Sequence, residues 1–295
     1  MTSRHRGPFV RALLIGGLVT GISGMTAGTA LATTMSSFAS GVLTVTTDAA
    51  VTITCESESG ALLVNGADVD TGRAYCETTH LVRVLGDAAV NTVDLGSVFA
   101  DDFEKGASTQ VQGNAGADVI TGSELPDHVS GGIGADQILG GDGDDVLKGG
   151  VGADQLNGGA GYDQLFERAD FNFALTDSTL TGLGADLLTS IETAKIAGGV
   201  SANTIDASLF TGPTVLSGGR GDDVLTGGPG DDLLRTSSGN DSLAGGDGAD
   251  LLYAGNGEDS LNSVDAVGAN DYLQGERGID TCATDPGDHV WGCEL

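Results

Sequence analysis

Aromatic side chains are scarce in this chain: one Trp, four Tyr and eight Phe among 295 residues. So few large rings argue against a sizeable conventional core. Basic residues are also few, 12 against 42 acids, and the formal net charge is −30 at pH 7. Nucleic acid and anionic membrane surfaces are therefore poor partners, and cations are natural ones. Cys and His number four each, and no C-x-x-C spacing occurs, so a zinc cluster is not expected. Neither H-E-x-x-H nor G-x-S-x-G is present, which removes two common hydrolase signatures.

What the chain does have is 50 Gly and 32 Asp. Gly-rich acidic composition by itself fits a disordered, solvating polypeptide. Against that reading, Val, Ile and Leu are plentiful and fall in register with a nine-residue period. Residues 1–32 read as an export signal. Arg4, Arg6 and Arg11 form a basic start, an apolar stretch runs from Ala12 to about Ala27, and Ala30-Leu31-Ala32 offers a small-residue cleavage site. A membrane-spanning helix is the alternative, but the stretch is rich in Gly, Thr and Ser and has no basic stop. Cleavage removes three of the 12 basic residues and no acid, leaving 9 − 42 = −33 and no membrane span. The four cysteines of an exported chain read as disulfides, with Cys55–Cys76 and Cys282–Cys293 as the local pairings.

Aspartate recurs every nine residues at Asp118, Asp127, Asp136, Asp145, Asp154 and Asp163, then at Asp223, Asp232, Asp241, Asp250 and Asp259. Most lie in the frame Gly-Gly-x-Gly-x-Asp-x-U-x, with U a large apolar residue. Seven windows match in full, starting at Gly131, Gly140, Gly149, Gly158, Gly218, Gly227 and Gly245. The first repeat block spans 113–166 and the second 218–274, its last clear nonad ending at Asn262. Departures are Asn114, the nonad 122–130 with Pro126, and Thr236-Ser237-Ser238 in place of glycines. Residues 33–112 carry β-branched runs such as 42–46, 51–55 and 81–85 between turns, and read as an irregular β cap or metal-free coils. Residues 167–217 read as solenoid that has lost its metal ligands, because Gly184-Ala185-Asp186 and Asn203-Thr204-Ile205 mimic parts of the frame. Residues 275–295, with the only Trp and a disulfide, read as a cap over the last coil.

In each nonad the first six residues form a turn, since three glycines permit positive φ, and the last three form a short strand. Two nonads make one coil of eighteen residues, so alternate nonads stack. Asp136 then lies above Asp118 and Asp154 above Asp136, while Asp145 lies above Asp127 and Asp163 above Asp145. Asp223, Asp241 and Asp259 stack likewise, as do Asp232 and Asp250. With strands about 4.8 Å apart, facing carboxylates repel unless a cation lies between them. Several carboxylate and carbonyl oxygens suit Ca²⁺ better than Mg²⁺, which resists dehydration. Stacked pairs give about seven sites. Asp142, Asp144, Asp222, Asp231 and Asp247, at variable turn positions, are expected to be solvated charge.

These residues resemble the RTX-type, or hemolysin-type, calcium-binding repeats over 113–166 and 218–262. The resemblance implies an all-β, right-handed parallel β-roll with several Ca²⁺ ions held between turns on both edges. It carries the ligand role onto the eleven aspartates above. Turn-carbonyl roles fall on Gly131, Gly132, Gly134, Gly140, Gly141, Gly143, Gly149, Gly150 and Gly152, and on Gly218, Gly219, Gly221, Gly227, Gly228, Gly230, Gly245, Gly246 and Gly248. Weak or absent calcium is expected at Asp127 and Asp241, whose turns depart from the frame. The expected protein is a secreted calcium-binding β-roll, not an enzyme, whose folding is coupled to Ca²⁺ and which serves a structural or interaction role with an extracellular or cell-surface partner. The alternatives are the accessory repeats of an extracellular enzyme or toxin and a calcium-dependent surface adhesin. Only about 80 residues separate the signal from the first nonad, too few for most catalytic domains.

Overall fold

The computed structural model describes residues 34–55, 62–64, 67–68, 75–265 and 270–294. The export-signal reading of 1–32 lies outside them. Among the described residues there is no α-helix, and so no helix long and apolar enough to cross a membrane.

Successive nonads feed two sheets in alternation. Val119–Thr121, Gln137–Asp142 and Gln155–Ala160 lie in one, while Asp127–Ile133, Val146–Val151 and Gln164–Arg168 lie in the other. Pairing is parallel, with Gln137 opposite Val119 and Val146 opposite His128, a shift of eighteen residues. One coil is therefore two nonads, as the period requires. Among the described residues the sheets comprise 13 and 15 strands. Between them runs one apolar row. Ile138, Leu147, Leu156 and Leu165 in the first block, and Leu225, Leu234, Leu243, Leu252 and Leu261 in the second, are at most 3% exposed. A strand of three residues points only its middle side chain inward, so the core is one residue thick per strand. That explains why so few aromatics suffice.

The coils begin before the repeats. Val42–Thr47, Leu81–Leu85 and Ser108–Ala115 pair in parallel in one sheet, and Ala50–Cys55, Thr92–Ser97 and Val119–Thr121 in the other. Antiparallel additions, Thr34–Ala39 on one side and Leu62–Val64 with Ala67–Asp68 on the other, cover these first strands. Disulfides join Cys55 to Cys76 and Cys282 to Cys293, the two local pairings.

Residues 167–217 stay in the solenoid without remaining regular. One sheet runs on through Thr193–Ala197 and Thr214–Ser217 in parallel. In the other, Phe173–Thr176 and Thr179–Thr181 form an antiparallel hairpin that joins Ala185–Thr189 to the next parallel strand, Thr204–Leu209. Phe173, Leu175, Leu180 and Phe210 are buried there, substituting larger side chains for the one-residue apolar row.

Candidate metal centre

The eleven aspartates line the two edges of the roll, none more than 2% exposed. All but Asp127 use Oδ1 in the same way, accepting a backbone N–H from the coil before. The N–H of Asp118 donates to Asp136 (2.8 Å), Asp127 to Asp145 (2.9 Å), Asp136 to Asp154 (2.8 Å) and Asp145 to Asp163 (2.9 Å). Asp223, Asp232 and Asp241 donate to Asp241, Asp250 and Asp259 at 2.8, 2.9 and 2.8 Å. The stacking read from the period is thus a hydrogen-bonded ladder.

Oδ2 is the atom that distinguishes one turn from another. In Asp118, Asp136, Asp145, Asp154, Asp163, Asp223, Asp241, Asp250 and Asp259 it is buried and accepts no hydrogen bond. The local cause is the second residue of the nonad. Gly132, Gly141, Gly150, Gly219 and Gly246 have φ of +115, +121, +100, +107 and +111°. A positive φ there rotates the preceding peptide so that its N–H leaves the carboxylate. Asn114 keeps the same conformation with φ +74°, being one of the few residues that tolerate it. At the fourth position Gly134, Gly143, Gly152, Gly221 and Gly248 are also positive.

The first glycines, Gly131, Gly140, Gly149, Gly218 and Gly245, stand against Oδ2 of Asp136, Asp145, Asp154, Asp223 and Asp250, where a Cβ would collide. At Gly113 such an atom would meet both Asp118 Oδ2 and, at 2.5 Å, the carbonyl of Gly131 from the next coil. Gly140 repeats this with Asp145 Oδ2 and the Gly158 carbonyl. Glycine therefore leaves a space on which a carboxylate oxygen and a main-chain oxygen converge. The carbonyls of Gly132, Gly134, Gly143, Gly221, Gly228 and Gly230 likewise crowd the glycines one coil further on.

Burial sets the electrostatics. It pushes Asp145 up to about 8, helped by the carboxylates of Asp127 and Asp163 and opposed by the Asp127 N–H. Asp250 rises to about 7 and Asp136, Asp154, Asp223 and Asp259 to about 6, burial leading in each. Asp118 and Asp163 move the same way. A buried charged oxygen without a partner is costly. It either takes a proton or meets a cation. Among the described residues no three Asp, Glu, His or Cys side chains surround one point. A cation here takes one carboxylate and several carbonyls, a hard oxygen set that fits Ca²⁺.

Two aspartates are held differently. At Asp127, Oδ2 accepts the Ser123 N–H (2.7 Å), and Oδ1 accepts the Ser123 and Thr109 hydroxyls. This is the degraded nonad with Pro126. Asp232 lies in a full match to the frame, yet its Oδ2 accepts the Gly228 N–H at 2.6 Å and its Oδ1 the Thr214 hydroxyl and N–H. Pro229 is the reason. The residue before proline is pushed to extended backbone, and neither Gly228 nor Gly230 takes the positive φ of its counterparts. Gly227 still faces Asp232 Oδ2 and the Gly245 carbonyl, but the carboxylate is already satisfied. Asp241 departs in the other direction. Ser237 does not adopt positive φ, but its N–H goes to the Gly219 carbonyl (2.9 Å), leaving Asp241 Oδ2 open.

The ladder also reaches residues that the frame does not select. Asp154 N–H donates to Asp186 (3.0 Å) across 32 residues, one coil of 18 plus a 14-residue insertion holding the hairpin. Asp163 N–H donates to Glu192 (2.8 Å). The stretch 167–217 therefore keeps hydrogen-bonding carboxylates on both edges, but neither Asp186 nor Glu192 is among the buried side chains with an open oxygen. Glu167, 1% exposed, accepts the Gly150 N–H, and its other oxygen lies 3.9 Å from Lys148. Asp271 and Asp280 accept from Asp250 and Asp259 at 2.8 and 2.9 Å, with Oδ2 open in both. Their nine-residue spacing was the available signal; Glu167 had none. Asp144, Asp222 and Asp231 are exposed, but each accepts an N–H from the turn eighteen residues on, of Tyr162, Asn240 and Ala249. They brace neighbouring coils as well as carrying solvated charge.

The RTX calcium-binding nonapeptide repeat (4 copies) matches residues 108–124, 130–165, 210–243 and 235–263. No curated protein matches the chain. The chain carries RTX-type calcium-binding repeats folded as a β-roll.

Proposed function

We propose that this is an exported calcium-binding β-roll whose repeats fold as the ions load, with a structural or interaction role and no catalytic one. The observation that carries it is the row of buried Oδ2 atoms that accept no hydrogen bond, seven of which, in Asp118, Asp136, Asp145, Asp154, Asp163, Asp223 and Asp250, stand beside a glycine whose missing side chain leaves room for an ion. The open aspartates supply one charged ligand per turn, and glycine carbonyls from adjacent coils supply the rest. Without the ion the same turns bury charge over a core one residue thick, so binding energy becomes folding energy.

Export is supported by the basic and apolar start of the chain and by its two disulfides. Extracellular modules bind Ca²⁺ at roughly 10⁻⁴ to 10⁻³ M, so such a chain stays loose where calcium is low and sets where it is high. Circular dichroism of the full chain with calcium and with chelator tests the coupling, and calorimetric titration counts the ions. A β spectrum indifferent to chelator sinks the coupling, and a titration without bound calcium sinks the whole reading. Fractionation of the culture medium tests export.

A further inference from the structure

The matched repeats stop at residue 263, but an open turn occurs beyond them. Asp280 is fully buried, and its Oδ2 accepts no hydrogen bond. A Cβ on Gly275 would lie 2.5 Å from both Asp280 Oδ2 and the carbonyl oxygen of Gly292. The two oxygens thus converge on the space that glycine leaves, as at Gly113 and Gly140. The next residue, Glu276, holds φ at +71°, the conformation its glycine counterparts adopt freely and a side chain does not. The turn keeps its open geometry where the residue type disfavours it.

The facing wall is residues 291–294, which run on from the strand His289–Trp291, paired in parallel one coil of 17 residues beyond Tyr272–Gln274. Gly275 N–H donates to the Trp291 carbonyl (3.0 Å) and Glu294 N–H to the Asp280 carbonyl (2.7 Å). Glu294 Oε2 accepts the Asp280 N–H at 2.6 Å. Within this wall Cys293 is bonded to Cys282, which takes the inward position of the strand Thr281–Ala283 and packs against the core. The disulfide ties the wall to the turn it covers.

We infer that residues 275–294 hold a further divalent-cation site, built from Asp280 and the Gly292 carbonyl and kept closed by the Cys282–Cys293 disulfide. This rests on the calcium reading of the repeats and adds a site whose occupancy follows the redox state of one bond. A dithiol reductant delivers two electrons and two protons to that bond, becoming a disulfide itself, and releases the wall as two thiols.

Trp291 is the only tryptophan in the chain and adjoins Gly292, so it sensitises ions bound at this end of the roll, and the Asp280→Asn variant separates this site from its neighbour at Asp259. Terbium(III), a hard ion with calcium's preference for oxygen, is titrated into the oxidised full chain. Excitation is at the red edge of the indole band, where tyrosine does not absorb. The expected result is terbium emission that calcium displaces. Asp280→Asn and the double variant Cys282→Ser/Cys293→Ser each weaken terbium binding about tenfold or more, whereas Asp101→Asn on the surface changes nothing. Calorimetry of Asp280→Asn then counts one calcium fewer than wild type. A wild type that binds calcium without sensitised emission overturns this site alone, as does undiminished emission from Asp280→Asn. A wild type that binds no calcium overturns the repeat reading and this site together.

Discussion

The turns 140–145 and 227–232 match the same nine-residue frame and hold their aspartates in opposite ways. In the first, Gly141 takes φ +121° and Asp145 Oδ2 is left open; in the second, Gly228 gives its N–H to Asp232 Oδ2. Pro229, at a position the frame leaves free, decides between them. The same closed arrangement occurs at Asn91, which accepts the Asp87 N–H at 3.0 Å, and at Asn203, which accepts the Gly199 N–H at 2.8 Å. A closed turn satisfies its own side chain and stands without an ion. An open turn postpones that satisfaction until a cation arrives. The molecule therefore contains rungs that need calcium and rungs that do not, and the second kind occurs where the solenoid starts, degenerates or resumes.

The contrast is largest under chelation. Amide exchange is expected to become fast throughout 113–166 and 218–262 when calcium is removed at neutral pH, while Leu81–Leu85 and Thr92–Ser97, beside the closed turn of Asn91, stay protected. Uniform protection in chelator would show that open turns do not need the ion.

Next in size is the pH response. Burial raises the folded-state pKa values of open carboxylates in the repeats above the ordinary 3.8, to about 6 for Asp136, about 7 for Asp250 and about 8 for Asp145. A raised value means the folded state holds the proton more tightly. The ion-free roll should then be most stable below about pH 4 and lose that contribution as pH climbs through 6 to 8. With calcium the trend reverses, since the ligands must be charged. Thermal melts across this range, with chelator and with calcium, give two slopes of opposite sign; parallel slopes contradict the open-turn assignment.

Single substitutions sharpen it further. Asp145→Asn should lower the calcium count in calorimetry by one, and Asp232→Asn should leave it unchanged. Pro229→Gly should free Gly228 to adopt positive φ, open the Asp232 turn and raise the count by one. The smallest effect belongs to Ser123→Ala, which removes a hydroxyl donor from Asp127. A loss of about 1 kcal/mol in stability is expected, with the ion count untouched.

Much of this was legible in the chain. The period predicted two-nonad coils and which aspartates stack, and both appear as the register of eighteen and the N–H to Oδ1 ladder. The inward leucines followed from the three-residue strands. What the frame missed lies where the interval changes. Asp186 and Glu192 rejoin the ladder after insertions, and Asp271 sits three residues later than the repeat would place it (21 against 18). A periodic reading discards a residue that is out of phase, although a loop absorbs extra residues at the surface at modest cost.

Spacing by itself determined that carboxylates would line both edges of a two-sheet coil, because a fixed repeat in L-residues returns the same side chain to the same edge at every turn. Only the tertiary structure decided which of those carboxylates are open. That depends on the orientation of one peptide four residues before each aspartate, on the carbonyl that faces it from the neighbouring coil and, at Asp280, on a wall brought from residues 291–294 by a disulfide. The frame fixes where these partners stand but not how each peptide turns: Pro229 occupies a position it leaves free, and the coil that faces Asp280 is 17 residues long instead of 18.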